Sequence, residues 1–109
     1  YEEVKNMKVY NKLIRDNIPS IMSAQGKNFR THVAEPEEYK IKLKEKLIEE
    51  VNEFLEDPCL EELADIFEVF SALVASSGYS QDELAQCMSD KSDERGAFES
   101  GIILETVEE

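Results

Sequence analysis

The residues best suited to do chemistry are two short acidic runs, Glu49-Glu50-Val51-Asn52-Glu53 and Glu61-Glu62-Leu63-Ala64-Asp65, on either side of an Asp57-Pro58 break. Residues three or four apart share a helix face, so Glu50 with Glu53, and Glu62 with Asp65, each project two carboxylates the same way. In an antiparallel hairpin folded at the break, residue 53 lies level with 62 and residue 50 with 65. At about 1.5 Å of rise per residue the two levels are roughly 4.5 Å apart, which suits one or two hard cations held by oxygen. His32 is the only histidine and lies outside both runs. That favours Mg²⁺ or Mn²⁺ over zinc or a histidine-supported di-iron pair. A magnesium site of this kind usually serves phosphate chemistry, in which the ion neutralises oxygens, orients substrate and lowers the pKa of an attacking water.

Nineteen glutamates in 109 residues produce ExxE spacings by chance, and most acids in such a chain are solvated surface. Two features set these acids apart: the symmetric register about the break and the apolar flank of Asp65, which has Val69 and Ala72 on its own face. A buried carboxylate without a partner is unfavourable by several kcal/mol and tends to take up a proton or bind a cation. The charge distribution points the same way. Net charge is -13, yet ten of the twelve lysines and arginines lie at or before Lys46, and between Leu47 and Asp90 there are twelve acids and no basic residue. Such an acid-rich stretch calls for an external cation and argues against a nucleic-acid polymer as partner. Among protein cations, Lys12 and Arg15 lead the early candidates for phosphate, and Lys91 and Arg95 are the only late ones. The bland reading of Lys91 and Arg95 is that they offset a helix C-terminal dipole, worth about 0.3 to 1 kcal/mol.

The elements that must position these groups are mostly helical. Residues 4 to 16 mix apolar and basic positions and read as an extended or irregular segment covering something else. Asn17 and Pro19 start a short helix through Ala24, ended by Gly26. Phe29, Thr31 and Val33 alternate as a short strand or extended link. Glu35-Pro36 opens a long helix to Glu56, with Leu43, Leu47, Ile48, Val51, Phe54 and Leu55 at helical spacing. Projection places Glu50 beside the apolar stripe at Leu43 and Phe54, so Glu50 is the acid expected to be partly buried. Asp57 is expected to cap the next helix, with Pro58 in its first turn, to about residue 76. Leu63 to Ala75 has only Asp65, Glu68 and Ser71 as polar residues, a pattern that demands cover nearly all round. Ser80-Gln81-Asp82-Glu83 has the form of a capping box for a helix through Asp93. Ile102 to Val107 reads as a short strand or an extended arm packed on the bundle.

The fold class expected is therefore all-α: one domain over residues 1 to 109, a helical bundle built on an antiparallel hairpin, with short extended segments at the termini. So small a chain with so apolar a helix is expected to be completed by homo-oligomerisation, as a dimer or tetramer. No run approaches the roughly 18 apolar residues of a membrane span, and no signal-peptide pattern opens the sequence, so a cytoplasmic location is expected. Cys59 and Cys87 have no CxxC or His-rich context and read as small apolar residues.

Val9-Tyr10-Asn11-Lys12-Leu13-Ile14-Arg15-Asp16-Asn17-Ile18-Pro19, the EExxE and ExxD runs, and Lys91 with Arg95-Gly96-Ala97-Phe98-Glu99 together resemble the MazG-like branch of the all-α nucleoside triphosphate pyrophosphohydrolases, related to phosphoribosyl-ATP pyrophosphohydrolase. The resemblance covers nearly the whole chain, and its opening and closing motifs are more specific than the acidic ones. It implies a helical-bundle homo-oligomer that uses Mg²⁺, with Mn²⁺ as an alternative, to hydrolyse a nucleoside triphosphate between the α and β phosphates, giving a nucleoside monophosphate and pyrophosphate. The metal motif maps onto Glu49 or Glu50, Glu53, Glu62 and Asp65. On this reading Glu50, Glu53, Glu62 and Asp65 hold the metal. Glu49 is a further ligand or the base that positions water, and Lys12, Arg15, Lys91 and Arg95 contact substrate. Asn17 stands where similar sequences tend to carry lysine, Ala97 where they tend to carry a second glycine, and the Glu53 to Glu62 separation is shorter than in typical MazG domains. The first two departures bear on substrate choice, non-standard nucleotides included. Two alternatives stand beside this reading: a non-catalytic acidic helical module that binds a basic protein, and an enzyme acting on phosphoribosyl-ATP.

Overall fold

The computed structural model describes residues 7–108, and within them the chain folds as four helices and no strand: α1 (Ile18–Ala24), α2 (Pro36–Glu56), α3 (Leu60–Ser76) and α4 (Gln81–Arg95). The all-α class is therefore as expected. α2 and α3 form a closely packed hairpin, and α4 packs on α3. No helix among the described residues is long and apolar enough to cross a membrane.

Local chemistry accounts for most boundaries. Pro36 sits in the first turn of α2, with Glu37 and Glu38 beside it where the helix dipole favours negative charge. The last turn of α3 closes as a Schellman motif. Tyr79 N–H reaches the Val74 carbonyl at 3.2 Å, and Gly78 N–H the Ala75 carbonyl at 3.1 Å, which requires the positive φ of 87° that Gly78 supplies. α4 has the full capping box: Glu83 N–H donates to Ser80 Oγ at 3.0 Å, and Ser80 N–H to Glu83 Oε1 at 2.9 Å. His32 meets the first turn of α2, with Nε2 3.0 Å from Glu38 Oε2.

The hairpin corner differs from the sequence expectation. Asp57 does not cap α3. Its backbone N–H still bonds the Glu53 carbonyl at 2.9 Å, so it is the C-cap of α2, and Cys59 takes the N-cap of α3 without a side-chain capping hydrogen bond. Residues 28–34 form the extended link, not a strand. The terminal arm is extended as well, but it is not packed on the bundle: Phe98 is 97% exposed, and Ile102, Ile103 and Leu104 are also exposed.

The core is small. Leu43, 1% exposed, is the only fully buried apolar side chain among the described residues, and seven residues further along the same face of α2 lies Glu50, 6% exposed. Half-buried Leu47 and Phe54 on α2 and Ile66, Val69 and Leu73 on α3 make up the rest of the apolar contact. Leu43→Ala should therefore cost about 2 to 5 kcal/mol, enough to abolish or broaden the cooperative unfolding transition, measured by circular dichroism on heating.

Candidate metal centre

The acids meet because two helices of opposite direction present them at matched levels. Glu50 looks out from the buried face of α2, and Glu62 and Asp65 from the first two turns of α3. One carboxylate oxygen of each lies within 4.8 Å of the others. Glu53 stands beside Glu62 and is exposed. The register about the break is thus the one the sequence suggests, with Glu50 level with Asp65 and Glu53 with Glu62.

The electrostatics of this group are unfavourable. Burial pushes the Glu50 carboxyl above its ordinary value; Lys46, whose Nζ is 3.4 Å from Glu50 Oε1, works against the shift, and the charges of Glu53 and Asp65 add to it. Glu62 is likewise raised, by burial and then by the charges of Glu53, Asp65 and Glu50. Two buried oxygens, Glu50 Oε2 and Glu62 Oε2, have no hydrogen-bond partner. Buried polar atoms without partners are uncommon and ask for an explanation. An all-oxygen donor set with excess negative charge fits Mg²⁺ or Mn²⁺, and a cation there would supply the missing partner to both atoms. Glu62 also lies within 4.8 Å of Asp57 and Cys59 at the corner, but that set includes a sulfur, a poorer match to a hard ion.

An irregular N-terminal strap brings protein cations to the rim of the cluster. Arg15 donates from Nη2 to Asp65 Oδ1 at 2.6 Å and lies 3.7 Å from Glu68, so the expectation of a partnerless Asp65 is corrected. The bond to Asp65 holds the Arg15 guanidinium above its ordinary pKa. Lys12 donates to Glu49 Oε2 at 3.1 Å. Burial alone would raise the Glu49 carboxyl, but the Lys12 hydrogen bond and the charges of Lys46 and Lys12 outweigh it and hold Glu49 below the usual range. Glu49 is therefore ionised while its neighbour Glu50 resists ionisation.

Lys42 was not singled out by sequence reasoning, although it fixes the strap. Its ammonium donates to the Asn11 carbonyl at 2.6 Å, across the bend where Asn11 adopts a left-handed φ of 47°. Asn is one of the few side chains that tolerate this backbone, and that preference was the available signal. Lys91 and Arg95, by contrast, are exposed on α4. Among the described residues Lys91 makes no ion pair, and Arg95 pairs only with Glu94, at 3.4 Å. A single chain brings Lys12 and Arg15 to the cluster and leaves Lys91 and Arg95 apart from it.

The raised carboxyls set a pH dependence of known sign. With divalent ions chelated, folded Glu50 and Glu62 hold protons that the unfolded chain has released, so stability falls as pH rises through their folded pKa values. Glu49 acts oppositely: its contribution is present above its ordinary range and is lost as pH falls through its depressed value. The melting temperature should therefore rise as pH falls through the raised values toward the ordinary carboxyl value of 4.5, and drop as pH falls further through the depressed value of Glu49. Glu50→Gln should melt higher than the wild type at pH 7, with the gap closing as pH falls to the ordinary carboxyl value of 4.5; a gap that stays constant would contradict the burial of this charge. No protein-family model matches the chain, and neither does any characterised protein or solved structure.

Proposed function

We propose that the protein is a Mg²⁺-dependent nucleotide pyrophosphohydrolase that cleaves a nucleoside triphosphate between its α and β phosphates, acting in the cytoplasm as a homo-oligomer. The observation that carries this reading is the buried member of the cluster: Glu50, 6% exposed, with Oε2 unpartnered and a carboxylate oxygen within 4.8 Å of Glu62 and Asp65. The identity of the reaction comes from the motif resemblance at both ends of the chain.

Glu50, Glu53, Glu62 and Asp65 would hold the ion, which when bound supplies charge neutralisation at phosphate oxygens and a more acidic water. Arg15 and Lys12 each carry a cation already placed at the cluster's rim. Both pairs are partly solvated, with Arg15 54% and Asp65 36% exposed, so they contribute only about 0 to 1 kcal/mol and can exchange a carboxylate for a phosphate oxygen. Glu49, kept ionised by Lys12 and Lys46, is the acceptor that orients the attacking water rather than a store for its proton.

Pyrophosphate release should be measured on a panel of nucleoside triphosphates, non-standard ones included, with Mg²⁺. The wild type should turn over at least one, and Asp65→Asn should lose about 100-fold or more in rate. If both proteins are inactive across the panel, or equally active, the mechanism fails. Millimolar Mg²⁺ or Mn²⁺ should also raise the wild-type melting temperature, because a ligand that binds only the folded state stabilises it, and should do so less in Asp65→Asn. No shift would favour the acidic interaction module instead.

A further inference from the structure

The strap that carries Lys12 and Arg15 reaches both walls of the cluster. Lys12 Nζ lies 3.1 Å from Glu49 on α2, and the Arg15 guanidinium bridges two acids one turn apart on α3, 2.6 Å from Asp65 and 3.7 Å from Glu68. Between these two cations Leu13 and Ile14 are half-buried. The strap forms no regular structure and is held at its ends. Upstream, Lys42 tethers the Asn11 carbonyl at 2.6 Å; downstream, Ile18 N–H closes a turn on the Arg15 carbonyl at 3.1 Å and leads into α1. Both cations are exposed, and pairs on the water side are weak enough to break.

The oxygens of the cluster are thus divided by depth. The deep ones, Glu50 Oε2 and Glu62 Oε2, have no partner, while at the rim Asp65 Oδ1 and Glu49 Oε2 accept from strap cations. An octahedral Mg²⁺ or Mn²⁺ keeps several of its waters. Protein covers the inner side of Glu50, so those waters can lie only toward the rim, where the guanidinium stands. A guanidinium and a divalent ion on one carboxylate also repel each other. Both effects oppose joint occupancy of Asp65. The plain alternative is that Arg15 stays on Asp65 beside a bound ion, and the two readings differ in whether the ion frees the strap.

We infer that the strap is a gate on the cluster: Arg15 and a divalent ion compete for Asp65, so the ion enters only as Arg15 leaves. The inference deepens the hydrolase reading and rests on its metal site. A gate closed in most molecules weakens the apparent affinity for the ion by the fraction that is open. A phosphate oxygen that takes Arg15 opens the gate, so by linkage a phosphate-bearing ligand and the ion each strengthen the binding of the other.

The test is Mn²⁺ binding by the full chain without nucleotide, read from the spin-resonance signal of the free ion, together with limited trypsin digestion. Trypsin reports on the strap because its specificity pocket must take the lysine or arginine side chain itself. With divalent ions chelated, cleavage after Lys12 and Arg15 should be slow; saturating Mn²⁺ should speed it by about threefold or more, since cleavage tracks the open population. Cleavage after Lys27 and Arg30, on the far side of α1, should not speed up. In Glu50→Gln, which leaves both strap pairs intact, the same Mn²⁺ should not speed cleavage of the strap. Arg15→Gln should bind Mn²⁺ about tenfold more tightly than the wild type. Loss of a nearby positive charge contributes to that by itself, so Lys42→Met is the second variant. It cuts the tether to Asn11 about 12 Å from Glu50 along α2, beyond the screening length of about 8 Å at roughly 0.15 M salt, and should tighten binding by about twofold or more. If the wild type binds Mn²⁺ while cleavage of the strap is unchanged or slowed, or Lys42→Met binds no tighter, the gate is overturned and the metal site stands. If the wild type and both variants bind no Mn²⁺, the metal site and the gate fall together.

Discussion

The structure turns on one carboxylate that has nowhere to go. Glu50 shares the buried face of α2 with Leu43, so the contact that holds the hairpin together also takes Glu50 out of water. An isolated carboxylate in that position is unfavourable by several kcal/mol. Lys46, one turn earlier, relieves one oxygen from 3.4 Å, while the other oxygen faces Glu62 and Asp65, which have the same charge. A chain selected only for stability would place leucine there. In the proposed cation site this acid would be one half and the acids on α3 the other.

Around this centre the cations divide into two kinds. Lys46 belongs to α2 and is fixed by it, half-buried against both Glu49 and Glu50. Lys12 and Arg15 come from a strap without regular structure, anchored by the half-buried Leu13 and Ile14 and by the Lys42 bond to Asn11. Fixed charge tunes the carboxylates, and strap charge can be redirected. Glu49 is lowered by cations from both sources, while Glu50, paired with Lys46 alone, stays raised because its burial outweighs that pair. Two adjacent carboxyls thus have opposite protonation preferences, an arrangement suited to one acid that orients water and another that waits for an ion.

The hairpin, its register and the burial of Glu50 were legible in the sequence, because a helical period and a proline break are local signals whose consequences are geometric. The cap of α3 was misread because Asp57 has two competing uses, and its backbone bond to Glu53 makes it the C-cap of α2, which leaves Cys59 as the N-cap of α3. The pairing of Arg15 with Asp65 was not legible at all. It spans fifty residues from an aperiodic segment, and no spacing rule reaches across such a segment. The apolar arm at 102–107 was expected to find cover on the bundle, as its composition suggests, and in a single chain it finds none.

These points meet on α3, which carries repulsion on one side and unspent hydrophobic surface on the other. A core with one fully buried leucine is a weak clamp for Glu50, Glu53, Glu62 and Asp65, which repel one another across the α2 and α3 contact. Covering apolar surface contributes about 2.5 kcal/mol per 100 Å². Covering Leu60 and Phe67 alone is then comparable with the several kcal/mol that burial of an acid costs. A cation at the cluster would act on this weakness directly, because it would cancel the charge that pushes α2 from α3.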